Sequence, residues 1–122
     1  MINLDLNKMN LDAYILEARK FDSDPAVGRL IQLFSEWKQD SSSVIQLGQS
    51  IERFFGNTWI EPSAAHEELY RKWRDFKIDA VDNIGGKTMN ERLWLFSLLD
   101  VFDNAKPEER TLLYNKLLAS AG

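Results

Sequence analysis

Apolar residues in this chain return every third or fourth position through stretch after stretch, which is the period of an α-helix with one buried face. Leu11, Tyr14, Ile15 and Ala18 form the first such stripe. Val27, Leu30, Ile31, Phe34 and Trp37 form the second, and Val44, Leu47, Ile51, Phe54 and Phe55 the third. Leu69, Trp73, Phe76 and Ala80 make a fourth, and Leu112, Leu113, Tyr114 and Leu117 can dock a last helix. The run from Leu93 to Phe102 is apolar nearly all round, as in a helix central to a bundle. Only residues 1–9 and the segment around Thr58-Trp59-Ile60 are candidates for extended backbone, so a sheet has little to be built from.

The breaks between stripes carry helix-boundary chemistry. Asp24-Pro25 joins an N-cap acid to a proline at the first helical position. The last residue of Ser41-Ser42-Ser43 can cap the third helix, and Gly56-Asn57 offers a left-handed stop after it. Glu61-Pro62-Ser63 opens the fourth helix and Gly85-Gly86 ends it. Thr88 and Glu91 have capping-box spacing, and Lys106-Pro107 opens the sixth helix. Gly48, inside the third stripe, either admits a close neighbour or is a weak point costing about 1 kcal/mol against alanine. The expected fold is all-α: a compact bundle of five to six short helices, mostly antiparallel neighbours, in a single domain over 1–122. Residues 1–9 form an ambiguous N-terminal arm and 119–122 a frayed tail.

At 122 residues with 44% hydrophobic composition, the chain can bury a core without a metal or disulfide. It has no cysteine, which excludes thiolate metal sites and cysteine nucleophiles. The start lacks the basic and apolar signature of a secretory leader, and no apolar run is long enough to span a bilayer. A cytoplasmic protein is the expectation. The net charge of −4 opposes nucleic-acid and anionic-membrane binding and favours a basic protein as partner.

Catalytic signatures fail one by one. His66 is the only histidine, and Tyr70 stands where H-E-x-x-H needs its second one. Gly85-Gly86-Lys87-Thr88 has the end of a phosphate-binding loop without its leading spacing. No cofactor or metal is implied. Arg71, Lys72, Arg74 and Lys77 surround Trp73, but Glu67, Glu68, Asp75 and Asp79 interleave with them, as in solvated ion pairs.

Two groups of acids remain. Asp75, Asp79 and Asp82 follow i, i+4, i+7 spacing before Gly85-Gly86, and Asp100 and Asp103 precede Lys106-Pro107. In the last turn of a helix each would oppose the macrodipole at about 0.3–1 kcal/mol. An acid kept there suggests a face held for a cationic partner. The alternatives are turn chemistry at Asp82-Asn83, capping by Asp103 or Asn104, and pairing of Asp100 with Arg92 or Arg110. Trp59, outside any stripe, is either an exposed binding anchor or, with Ile60, a staple on the entry of helix four.

The expected function is a non-catalytic acidic protein-binding domain of the immunity or antitoxin type, masking a basic toxin such as a nuclease. Its site residues would be Asp75, Asp79, Asp82, Asp100, Asp103 and Trp59. The alternative is an adaptor bundle docking a partner helix in an apolar groove that involves Trp94 or Phe96. A third reading is a small enzyme or ligand-binding bundle with a carboxylate-lined pocket.

Overall fold

A computed structural model describes residues 9–118. The arm, apart from Met9, and the 119–122 tail therefore lie outside the described residues. All regular structure among them is helical. The α-helices are α1 Leu11–Arg19, α2 Pro25–Gln39, α3 Val44–Asn57, α4 Ser63–Phe76, α5 Met89–Leu95, α6 Leu99–Asp103 and α7 Pro107–Leu118. The count is thus seven rather than five or six.

The boundaries follow side-chain chemistry at most starts. Asn10 Oδ1 accepts from the Ala13 amide to open α1, and Asp24 Oδ1 accepts from Ala26 to open α2. Both α3 and α5 begin with complete capping boxes, Ser43 with Gln46 and Thr88 with Glu91. Asp24 does a second job. Its other oxygen accepts from the Glu61 amide at 2.8 Å, fastening the α3–α4 connection to the start of α2. Those two amides hold the Asp24 carboxyl below its ordinary value.

Three expectations about the ends are corrected. Gly56 lies within α3, Gly85 and Gly86 lie in a 3-10 turn at Ile84–Gly86, and no glycine among the described residues has positive φ. The fourth helix also does not run as an α-helix to the glycines. At Lys77 it widens into a π-helical segment, Lys77–Asp82, closed by Asn83 donating to the Ile78 carbonyl at 2.6 Å.

The third correction explains the extra helix. The run from Leu93 to Phe102 breaks at Ser97, which sits at φ 57°. The Ser97 amide donates to the Trp94 carbonyl and the Leu98 amide to that of Leu93. These are the two bonds of a Schellman closure, with serine at the left-handed position where glycine is usual. Ser97 Oγ is committed too: it accepts from the Asp12 amide, an otherwise orphan donor in the first turn of α1. Burying Phe96 and Leu98 completely on either side of the turn rewards the bend, which a straight helix would not allow.

One core cluster gathers residues from all but the shortest helix, α6. Tyr14, Phe34 and Trp73 meet edge to face or tilted at its centre, with ring centroids 5.6–6.3 Å apart. The Tyr14 hydroxyl donates to the Leu69 carbonyl, and burial raises its pKa. α1 packs on α2 and α4, α2 on α3, and α7 on α3, α5 and α6. Lys116 secures α7. The residue is 4% exposed, and its ammonium lies over the Trp37 ring at 4.1 Å and donates to Trp37 O, Ser42 O and Asp40 Oδ1.

Candidate functional site

The five aspartates do not form one face. Asp75 is exposed in the last turn of α4, while Asp79 and Asp82 lie in the π segment. The i, i+4, i+7 spacing shares a face only on an α-helix, and an i→i+5 ladder turns the later residues off that line. Asp79 Oδ1 meets Lys87 Nζ at 2.9 Å, and Asp82 Oδ1 lies 3.8 Å from Lys77 Nζ. Two of the three acids thus have an internal cation. Asp100 is in the first turn of α6, where the backbone field favours an acid, rather than at a helix end.

Asp100 also has no arginine partner. Arg92 donates to the carbonyls of Lys87, Leu117 and Leu118, closing α7. Arg110 donates to the carbonyls of Phe102 and Asp103, closing α6, and lies over the Phe102 ring at 5.0 Å. Asn104 caps α6 through the Asp100 carbonyl. Among the described residues Asp75, Asp100 and Asp103 have no ion pair.

The α6–α7 corner leaves apolar side chains in water. Leu112 is 61% exposed and Val101 49%. Both line a hollow of about 190 Å³ with Ala105 and Leu113, and Glu109 and Asp40 stand at its polar border. The expectation that every apolar residue of the last helix docks is therefore corrected: Leu113 and Leu117 are buried, Leu112 and Tyr114 are not. Of the two residues expected to line an apolar groove, Phe96 is wholly buried and Trp94 is partly buried.

Trp59 lies at the other connection, before α4. Its ring stacks on His66 with centroids 4.0 Å apart, yet it remains 55% exposed. His66 Nδ1 accepts from the Ile60 amide at 3.1 Å, and Ile60 is buried. Trp59 and Ile60 together thus staple the first turns of α4, while one tryptophan face stays open. Among the described residues the ring partner of Trp59 is His66, not one of the aspartates.

A hollow of about 560 Å³ lies between α3 and the π segment. Ile45 and Val81 give it apolar walls, and Glu52, Asp82, Lys77 and Arg53 give it charges of both signs. The Glu52 carboxylate accepts from Tyr70 Oη and Trp73 Nε1, each at 3.2 Å, which fixes its position. Burial and this carboxylate raise the Tyr70 pKa. A second hollow, about 180 Å³, is lined by Glu52, Tyr70, His66 and Phe55. It has room for only a few atoms, and His66 Nδ1 is already occupied. Among the described residues no three His, Asp or Glu side chains stand together as a metal site, and no helix is long and apolar enough to cross a membrane.

No protein-family model matches the chain, and neither a curated protein nor a solved structure matches it. Class is therefore defined by the fold alone: an all-helical protein.

Sequence reasoning missed Glu52, because it sits on the flank of an apolar stripe where charged residues are ordinary. A signal for the α6–α7 corner was present. Leu112, Leu113 and Tyr114 are consecutive, and helix turns of 100° per residue cannot bury all three.

Proposed function

We propose that the protein is a non-catalytic binding domain that docks a basic, partly apolar segment of another protein at its α6–α7 corner. Within that class we favour an inhibitor of the immunity or antitoxin type, acting in the cytoplasm on a basic toxin such as a nuclease. The reading is supported chiefly by Val101 and Leu112, exposed beside Glu109, with Asp100 and Asp103 on the same short helix as Val101 and without an ion pair among the described residues. Exposed apolar side chains with a charged border are how interface cores and rims are built. Of the nearby cations Lys116 is buried, Arg110 is committed to carbonyls and Lys38 to Asp12, while Lys106 is exposed in the α6–α7 connection without an ion pair among the described residues. Carboxylates there would speed encounter with lysines and arginines that otherwise hold phosphates.

The Val101–Leu112 hollow also fits an adaptor that docks a partner helix. Salt separates the two readings, because exposed charges are screened within about 8 Å at physiological ionic strength and apolar burial is not.

Partner capture from host lysate at low and high salt is the test, with Asp100→Lys/Asp103→Lys and Val101→Ser/Leu112→Ser variants alongside the wild type. A basic protein should be retained, released by salt, lost with both variants, and inhibited by the added domain. Retention by both variants removes the α6–α7 corner as the interface. Loss with the serine variant only, with no salt effect, identifies the adaptor.

A further inference from the structure

We infer that the groove between α3 and the π segment is a binding site for a small zwitterion of the amino-acid type with an aliphatic side chain. The π segment builds it. In a ladder of i→i+5 bonds, Lys77 and Asp82 stand one above the other on the same wall, a placement that an α-helix would not give. Glu52 faces them from α3, its carboxylate pinned by Tyr70 and Trp73. Lys77 Nζ lies 3.9 Å from Glu52 and 3.8 Å from Asp82. Both distances exceed hydrogen-bond length, so its N–H donors are held between two carboxylates without being filled by either. Arg53 lines the same groove and has no ion pair among the described residues.

Two carboxylates and two cations give the lining no net charge. An anion alone meets Glu52 and Asp82, a cation alone meets Lys77 and Arg53, and an apolar molecule must strip water from all four. A ligand with both charges close together satisfies each sign. Its carboxylate takes the open donors of Lys77 and Arg53, and its ammonium goes to Glu52 and Asp82. Ile45 and Val81 then cover an aliphatic side chain. A volume of about 560 Å³ is within the range of small-molecule sites. The groove is separate from the α6–α7 corner, so either can stand without the other.

The test is a titration of the isotope-labelled full chain with L-leucine, followed by NMR. Two analogues lack one charge each: 4-methylpentanoate and 3-methylbutylamine. Leucine should shift the Ile45 and Val81 methyl signals saturably, with half-saturation near or below about 1 mM, and both analogues should bind at least about tenfold more weakly. Lys77→Met and Asp82→Asn should each weaken leucine binding by about tenfold, with the remaining amide spectrum preserved. Asp82 is exposed, so its variant keeps the test valid if Lys77→Met unfolds. Absent shifts, equal binding of all three compounds, or full binding by Asp82→Asn would each overturn the assignment.

Discussion

Substitution at Ser97 distinguishes a broken helix from a continuous one by the sign of an energy difference. Ser97 is held at φ 57° and accepts the Asp12 amide at 3.0 Å. Ser97→Ala removes that bond but keeps the left-handed strain. The amide is near solvent, so water replaces part of the loss, and a cost of about 0.5–1 kcal/mol is expected. Ser97→Gly loses the same bond but relieves about 1–2 kcal/mol of left-handed strain, offset by about 0.5–1 kcal/mol of extra unfolded-state freedom. Glycine should therefore be more stable than alanine by roughly 0.5–1 kcal/mol and close to wild type. In a continuous helix the order reverses, because glycine is about 1 kcal/mol worse than alanine there. Urea unfolding followed by tryptophan fluorescence reads the difference. With a slope of about 1–3 kcal/mol/M, 1 kcal/mol moves the midpoint by roughly 0.3–1 M. A higher midpoint for Ser97→Ala than for Ser97→Gly would refute the break between α5 and α6.

A methyl built on Gly48 meets Val81 Cγ1 at 3.4 Å, an ordinary contact, so Gly48→Ala should gain about 0.5–1 kcal/mol in the same urea assay. Lys116→Met should cost about 2–4 kcal/mol, since the Trp37 and Ser42 carbonyls lose their donor while relief from burying an ammonium offsets part of the loss; a change below 1 kcal/mol would show that the ammonium adds little. Acid should weaken the fold through Asp24 and Glu17. Their folded pKa values lie below the ordinary 3.8 and 4.5, Asp24 chiefly through the Glu61 amide and Glu17 chiefly through Lys72, so their contribution is complete above those values and is lost as pH falls through the lower folded ones. Thermal unfolding from pH 6 to pH 2 should show Asp24→Asn losing less Tm on acidification than the wild type.

The starts of helices were legible because capping is local: Asp24-Pro25, Ser43 and Thr88 each act on amides two or three residues away. The interruptions were not, because their causes lie elsewhere in the fold. Ser97 turns left-handed in a run whose composition favours a helix, and its hydroxyl is answered by Asp12 from 85 residues away. The π segment has no sequence mark at all. Lys77 to Asp82 reads as one more turn of an amphipathic helix, and only in the folded chain does the widened ladder put Lys77 beneath Asp82.

That widening changes what the aspartates mean. An acid in the last turn of a helix suggests an external cation only if the protein supplies none, and here Lys87 reaches Asp79 while Lys77 lies near Asp82. Asp75 is followed by further helix rather than by a terminus, and Asp100 begins a helix instead of ending one. Opposition to the backbone field therefore survives only at Asp103, whose helix has five residues and a correspondingly small dipole. What singles out the α6–α7 corner is different in kind. Leu112 and Val101 remain in water where neighbouring Leu113 and Leu117 are buried, so covering them offers a partner about 25 cal/mol per Å² of apolar surface before any charge is counted. The acids beside them then act on the choice and speed of association more than on its strength. It follows that the serine variant should lower affinity mainly through faster dissociation, and the lysine variant mainly through slower association.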